Sequence, residues 1–317
     1  GAYFGDKLSP LSDTTNLAPA MAGGELFSHI KYMTITTIPT IIVTLVFFII
    51  VGLNLETSGS ADTDNILASI ESSFYISGWL FIVPAVVILL IVKKTPPLAA
   101  LLIGTLLGAI FAIIFQPDIV AGITNANELT FESGYKGIMK AITVETTVPS
   151  DNKALSDLFS AKGMAGMLGT IWLIVCAMVF GGIMDGIGAL SRISAALLSM
   201  AKSTFGLFAS TVASCLALNV TASDQYLAIV VPGKMFSKAY KDRGLAPENL
   251  SRTLEDSGTV TSVLIPWNTC GAYHSGVLGV GVGEYFMYAV FNWLSPIMTL
   301  IFAAFNIKIR QLVKKVA

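Results

Sequence analysis

Charge is what this sequence has least of. Only 12% of its 317 residues are Asp, Glu, Lys or Arg while 54% are hydrophobic, against about 25% charged in an ordinary soluble domain. With a mean hydropathy of +0.74, a soluble fold is excluded. Cysteine is scarce too: Cys176, Cys215 and Cys270 stand alone in apolar stretches, which excludes a disulfide framework and a Cys-based zinc site and leaves them as small packing residues. With two histidines in all, no His-Glu-x-x-His helix and no Gly-x-Ser-x-Gly turn, neither a zinc nor a serine hydrolase is indicated, and the chain is read as no enzyme. No basic patch interleaved with aromatics exists, so nucleic acid is no partner. Strict apolar/polar alternation is missing as well, which excludes a membrane β-barrel.

What is present is a series of apolar runs about 20 residues long, the length that crosses hydrocarbon as a helix. The sequence therefore predicts an all-α polytopic membrane protein with the lipid bilayer as its solvent. Two polar breaks interrupt it. One is Gly5-Asp6-Lys7-Leu8-Ser9-Pro10-Leu11-Ser12-Asp13-Thr14-Thr15-Asn16-Leu17-Ala18-Pro19; the other runs from Thr259 to Gly271 and includes Pro266-Trp267-Asn268-Thr269. The first stands at the start of the chain, without initiator Met or signal peptide, and calls for a preceding helix. The expectation is the C-terminal portion of a longer protein.

Apolar helices are expected near 33–53, 74–92, 98–115, 163–184 and 285–305, with a surface helix near 190–201. Gly104 and Gly108 offer a small-residue packing face, and 135–142 is weakly amphipathic. The stretch 205–232 is apolar except for Asn219-Val220-Thr221-Ala222-Ser223-Asp224-Gln225 in its middle. Lys and Arg concentrate at 93–94, 185–204, 233–252 and the C-terminus, which assigns these to the cytoplasm and 55–73 and 118–162 to the outside. Helix counting agrees only if 205–232 is a re-entrant hairpin. Asn16 precedes Met33, and Asn268 precedes Tyr285, by 17 residues each. With opposite directions through the membrane, the two breaks form an inverted repeat, the architecture of many secondary transporters. One transporter domain over 1–317 follows: 1–54 closes the first repeat, 74–115 adds two helices, and 163–317 is the second repeat, with hairpin 205–232, broken helix 249–282 and last helix 285–305.

Backbone freed at such breaks, with hydroxyls and amides beside it, suits a hard cation that prefers oxygen. The candidate ion-binding and proton-coupling residues are Ser12, Asp13, Thr14, Thr15, Asn16, Asn219, Thr221, Asp224, Asn268 and Thr269, with Na+ at Asp13, Asn16 and Asn268. Asp13 is placed first among the carboxylates where sodium and proton compete, and Asp224 is its rival; a carboxylate that binds either ion couples their exchange. Asp6, Glu255, Asp256, Trp267 and His274 are assigned a supporting shell. For Asp6, Glu255 and Asp256, half-helices and interface fit equally, and Lys7 or Arg252 are candidate ion-pair partners. A Ser/Thr/Asn cluster also fits a solvated loop or a helix N-cap. The Gly-rich run 276–283 lacks the strand context of a phosphate loop.

The stretch Gly5 to Ala18 resembles the signature of the NhaC-type sodium/proton antiporters, and so do Asp224-Gln225-Tyr226 through Pro232-Gly233 and Leu254-Glu255-Asp256-Ser257-Gly258 through Ile265-Pro266-Trp267-Asn268. The resemblance covers nearly the whole chain. It implies exchange of external protons for cytoplasmic sodium in a bacterial or archaeal inner membrane, no cofactor beyond the transported ions, and kinship with the ion-transporter superfamily. A homodimer is compatible with it. Some similar proteins exchange malate and lactate along with sodium and protons, so a sodium-coupled organic-acid exchanger is the alternative. An ion channel is the non-carrier alternative. Arg192, Arg243, Arg252 and Arg310 are expected near the cytoplasmic face, which favours a plain cation antiporter.

Overall fold

The computed structural model describes residues 2–10, 12–54, 63–93, 95–149, 156 and 159–312. Glu56, Asp62, Lys94, Lys314 and Lys315 of the expected loops and tail lie outside them. The chain divides into two compact units, Gly1–Leu55 with Gly169–Ala317, and Glu56–Leu168.

The smaller unit is built on helices Ile82–Val92 and Pro97–Phe115, joined by a tight turn. Gly104 earns its place there, since a Cβ on it would lie 2.6 Å from Val87 Cγ2; Gly108 faces open space. The side chain of Gln116 brackets Tyr75, accepting from its N–H at 3.1 Å and donating to its carbonyl at 2.8 Å. Part of the expected polar loop at 55–73 is helical, over Thr63–Ser73. A surface helix, Phe131–Thr143, starts in a Thr130/Ser133 capping box, and a two-stranded ribbon pairs Thr146–Thr147 with Ser160–Ala161.

The larger unit reads inside-out relative to a soluble protein. Helix Leu26–Asn54 buries His29, Tyr32, Thr36, Thr37, Thr40 and Thr44 and turns Ile38, Ile42, Leu45, Ile49 and Leu53 outward. Polar groups inside and apolar groups outside are what a hydrocarbon solvent selects. Among the described residues, four helices are long and apolar enough to span a membrane: Leu26–Asn54, Leu98–Phe115, Ala165–Gly186 and Thr204–Thr221. The number rises to six if each of two bent pairs counts as one span. The bend at Ala289 delays the last helix to Val290–Ala304, and the helix after the first break begins at Leu26. The equal 17-residue offsets read from the sequence are therefore not element boundaries. The physical reason is local: Gly23, at φ 77°, caps the preceding helix early, and Ala289, at ψ 45°, interrupts the final one.

The scaffold of this unit is the hairpin. Helices Thr204–Thr221 and Gln225–Asp242 meet at a tip where Ser223 adopts φ 57°. Their apolar faces bury Leu207, Phe208, Cys215, Ile229, Phe236 and Tyr240 against Ala18, Leu250 and Leu254. Close approach is achieved at Gly233, where a Cβ would lie 2.7 Å from Met21 Cβ.

Candidate functional site

Both polar breaks are broken helices. In the first, Ala2–Leu8 ends, Ser9 and Pro10 turn the chain, and Asp13–Ala22 begins. Ser12 is the N-cap of the second half, its hydroxyl accepting from the Thr15 N–H at 3.4 Å, the usual service of a serine there. Asp13 through Asn16 thus form a first helical turn. Asn16 is exposed and spends its amide on the carbonyls of Pro10 at 2.9 Å and Ser12 at 2.6 Å. Thr15 donates to the Asp6 carbonyl at 2.9 Å, and Thr14 lies 3.1 Å from the Ser12 hydroxyl. Asp13, also exposed, accepts from the Tyr226 hydroxyl of the hairpin.

In the second break, helix Pro247–Leu254 loosens into a π-helical turn over Glu255–Thr259 and a 3-10 turn over Ser262–Leu264, then resumes as Thr269–Leu278. π turns are rare and cluster at functional sites. Ser257, Thr261 and Ser262 donate to the carbonyls of Thr253, Ser257 and Thr259 and so satisfy backbone that the break loosens. Gly271 is required, because a Cβ there would lie 2.0 Å from the Ile265 carbonyl oxygen.

The hairpin tip is clasped to this second break. Asn268 donates to Asn219 Oδ1 at 3.1 Å, Asn219 donates to the Gly258 carbonyl at 2.8 Å and Thr261 Oγ1 at 3.1 Å, and the Thr269 N–H reaches the Ser223 carbonyl at 3.0 Å. The Trp267 indole donates to the Val220 carbonyl at 2.8 Å, and Cys270 donates to Gln225 at 2.8 Å. Asp224 is the N-cap of helix Gln225–Asp242, accepting from the Leu227 N–H at 3.0 Å. Thr221 bonds back to the Ala217 carbonyl.

The charged centre lies where the two broken helices cross. Lys7 and Asp256, both 0% exposed, form an ion pair. Asp256 also accepts from Thr36 at 2.9 Å, from Ser295 at 3.3 Å and from Thr299, while Lys7 reaches Ser295 at 3.0 Å. Glu255, next in chain and also 0% exposed, has no well-formed hydrogen bond on either carboxylate oxygen among the described residues, the Thr259 hydroxyl one turn on being its one loose polar neighbour. The same holds for Thr259 Oγ1 and Thr37 Oγ1, and for the whole guanidinium of Arg252, which lies over the Tyr32 ring at 4.5 Å. Arg252 is 0% exposed and lies against Tyr32, at the same end of the unit as Lys31, Lys308 and Arg310. Buried carboxylates and guanidinium groups without partners cost several kcal/mol, and such groups at membrane depth mark ion pathways.

The family model described as "Na+/H+ antiporter family" matches residues 1–307. The chain belongs to the Na+/H+ antiporter family. It is 35% identical, over 97% of its length, to the Na(+)/H(+) antiporter NhaC of Alkalihalophilus pseudofirmus, and 33% identical over 95% to the NhaC of Bacillus subtilis. It is also 32% identical over 93% to the malate-2H(+)/Na(+)-lactate antiporter of Bacillus subtilis. It spans 63%, 64% and 60% of the lengths of these three relatives. No solved structure matches the chain.

Within this antiporter-family chain, the residues singled out in the sequence fall into three groups. Asn219, Asn268, Thr269 and Trp267 come together at the hairpin tip. Ser12, Thr14, Thr15 and Asp6 form a second cluster at the first break, with Asp13 joined to the hairpin through Tyr226. Glu255 and Asp256 form the third with Lys7. Asp13, Asn16 and Asn268 share no hydrogen bond among the described residues. His274 stacks near Tyr3, with ring centroids 5.5 Å apart, on the wall of a cavity. Among the described residues no three of His, Cys, Asp and Glu group as ligands for a resident metal. Thr36, Ser295 and Thr299 were not singled out from the sequence. The signal was present: threonines at 36, 40 and 44, and Ser295 with Thr299, repeat at helical spacing inside apolar runs.

Proposed function

We propose that this chain forms the ion-exchanging core of a secondary antiporter that trades sodium ions for protons across a cytoplasmic membrane by alternating access, with Glu255 and Asp256 as the exchanging carboxylates. The observation that carries it is Glu255, fully buried beside the Lys7–Asp256 pair with neither carboxylate oxygen in a well-formed hydrogen bond. A buried carboxylate without a partner is unstable; a proton or a sodium ion each relieves that cost, and the two therefore compete for the same oxygens.

Lys7 supplies the counterpart. Its ammonium holds Asp256 when no cation is bound, and a cation entering among the Thr36, Ser295 and Thr299 hydroxyls takes that place. Cargo binding thus exchanges one positive charge for another at Asp256. The two broken helices, crossing here in what we read as an inverted repeat with a re-entrant hairpin between them, give the site the freed backbone that midplane ion sites use. Asp13 and Asp224 frame the approach from the hairpin side.

The test is sodium-driven proton movement in everted vesicles with the full-length protein. Glu255→Gln and Asp256→Asn are each expected to abolish it. Loss in Asp13→Asn or Asp224→Asn with exchange retained in Glu255→Gln would move the site to the first break and the hairpin tip.

A second reading, exchange of an organic acid coupled to sodium, is favoured by the guanidinium of Arg252, buried with its nitrogens unpartnered. Such a group suits a carboxylate ligand. Labelled malate or lactate uptake into proteoliposomes, lost in Arg252→Lys, would support that reading.

A further inference from the structure

Two cavities open at opposite ends of the last helix, Val290–Ala304. At its start, a cavity of about 230 Å³ is lined by Tyr3, His274, Tyr285, Tyr288, Phe291 and Asn292. Beyond its end, a cavity of about 480 Å³ is lined by Ser28, Lys31, Tyr32, Lys308 and Arg310. A helix of 15 residues separates them by roughly 22 Å at 1.5 Å per residue.

Each cavity has in its wall an aromatic ring with a buried cation against it, and the Tyr32 ring carries in addition the cavity-lining Arg310 guanidinium, 5.8 Å from its centroid. Phe291, 8% exposed, has the Lys7 ammonium 5.3 Å from its centroid. Tyr32, 5% exposed, has the Arg252 guanidinium 4.5 Å from its centroid. The arrangement is reciprocal: Lys7 of the first broken helix backs a ring on the helix that follows the second, and Arg252 of the second backs a ring on the helix that follows the first. Both rings also stand one turn, four residues, outward of a hydroxyl on Asp256. Phe291 precedes Ser295, and Tyr32 precedes Thr36. Residues at that spacing lie on one helix face, so each ring stands between a cavity and the charged centre.

We propose that the two cavities are the opposite access routes to Asp256 and that Phe291 and Tyr32 are the positioning residues that close them, each held by the cation stacked on its inner side. The proposal rests on the exchange reading above. Lys7 bonds Asp256 and backs Phe291 together, so a cation that displaces Lys7 from Asp256 also loosens Phe291. Occupancy and opening are linked on that side. On the other side Tyr32 is bolted as well as backed, its hydroxyl lying 2.6 Å from Asn249 Oδ1 and 2.7 Å from the Lys308 carbonyl. This structure is therefore the more firmly shut at Tyr32.

The test reads access directly, without transport. In the full-length protein with Cys176, Cys215 and Cys270 replaced by serine, Ser295→Cys and Thr36→Cys are labelled with a membrane-impermeant methanethiosulfonate in right-side-out and inverted vesicles. Phe291→Ala is expected to raise labelling of Ser295→Cys about tenfold from one face only, and Tyr32→Ala to do so for Thr36→Cys from the opposite face only. Phe291→Leu keeps an apolar plug and should label slowly. Should the alanine variants fail to reach the membrane, Tyr32→Phe decides, because it removes the bolt and must speed labelling from its own face. Unchanged labelling, or equal increases from both faces, overturns the proposal. One-sided increases, when the protein with native Thr36, Ser295, Tyr32 and Phe291 moves no sodium against protons, uphold the two closures and overturn the exchange reading instead.

Discussion

The Lys7 ammonium and the Asp256 carboxylate are 249 positions apart in sequence and bonded to each other with neither side chain exposed. Each sits at the end of a half-helix, so the pair joins the two broken helices at the point where both lose their regular backbone. Ion pairs this deeply buried are seldom strong net stabilisers, because desolvation offsets most of the attraction, but removing one partner leaves a bare charge at a cost of about 3–5 kcal/mol.

That asymmetry gives a first prediction. Lys7→Met and Asp256→Asn should each lower the thermal midpoint of the detergent-solubilised full-length protein, while the double variant recovers most of the loss. Exchange should be absent in all three. A double variant no more stable than Asp256→Asn would mean that the pair is not coupled in the membrane.

Glu255 should behave in the opposite way. Its carboxylate has no well-formed hydrogen bond to lose, only the loosely placed Thr259 hydroxyl, so Glu255→Gln removes a cost and keeps the shape. The thermal midpoint should hold or rise, by about 2–4 °C for each kcal/mol relieved, while sodium-dependent proton movement disappears. A lowered midpoint would show that the carboxylate is held by contacts the isolated chain does not display.

These two expectations differ in how far the sequence announced them. The breaks were legible because Pro, Gly and clustered hydroxyls stand out in an apolar chain, and the hairpin was legible because Asn219 to Gln225 interrupt one apolar run. Helix starts were not, since Leu26-Phe27-Ser28-His29-Ile30-Lys31 looks like a polar approach and becomes helix because its polar face is inside. The same inversion hid the buried ion pair. Sequence reasoning weighted Asp13 for its density of neighbouring oxygens, and the structure shows Ser12 capping a helix there, whereas Asp256 gathers Thr36, Ser295 and Thr299 from helices distant in sequence, a cluster no local pattern reveals.

The clasp between hairpin and second break supports a packing prediction. Asn219→Ala removes the side-chain donor to the Gly258 carbonyl and leaves the Asn268 amide only its bond to the Asn219 backbone carbonyl, which should cost about 1–3 kcal/mol. Gly271→Ala forces a methyl onto the Ile265 carbonyl and should cost more, since backbone must move. Both are read as thermal midpoints, and a Gly271→Ala protein as stable as its parent would contradict the close approach.

The last prediction concerns pH at the end of the unit that holds Tyr32. Glu248 stands at the start of the second broken helix, ahead of its buried turn, where it accepts from Ser28 at 2.6 Å and pairs with Arg310 at 2.9 Å. Partial burial pushes its carboxyl upward, but the Ser28 hydroxyl, a backbone N–H and the Arg310 guanidinium outweigh that and hold it below the ordinary carboxylate range. A carboxyl lowered in the folded state contributes stability that is fully present above its unfolded value, about 4.3, and is lost as pH falls through the folded value. The parent should therefore be more stable than Glu248→Gln at neutral pH. The difference should shrink toward zero as the solution is acidified below pH 4, a trend read from paired unfolding curves across that range. Because Glu248 and Tyr32 share Arg310, through the guanidinium in one case and the backbone N–H at 3.3 Å in the other, the same variant should also loosen Tyr32, and a gap that widened on acidification would reverse the sign assigned to this carboxyl.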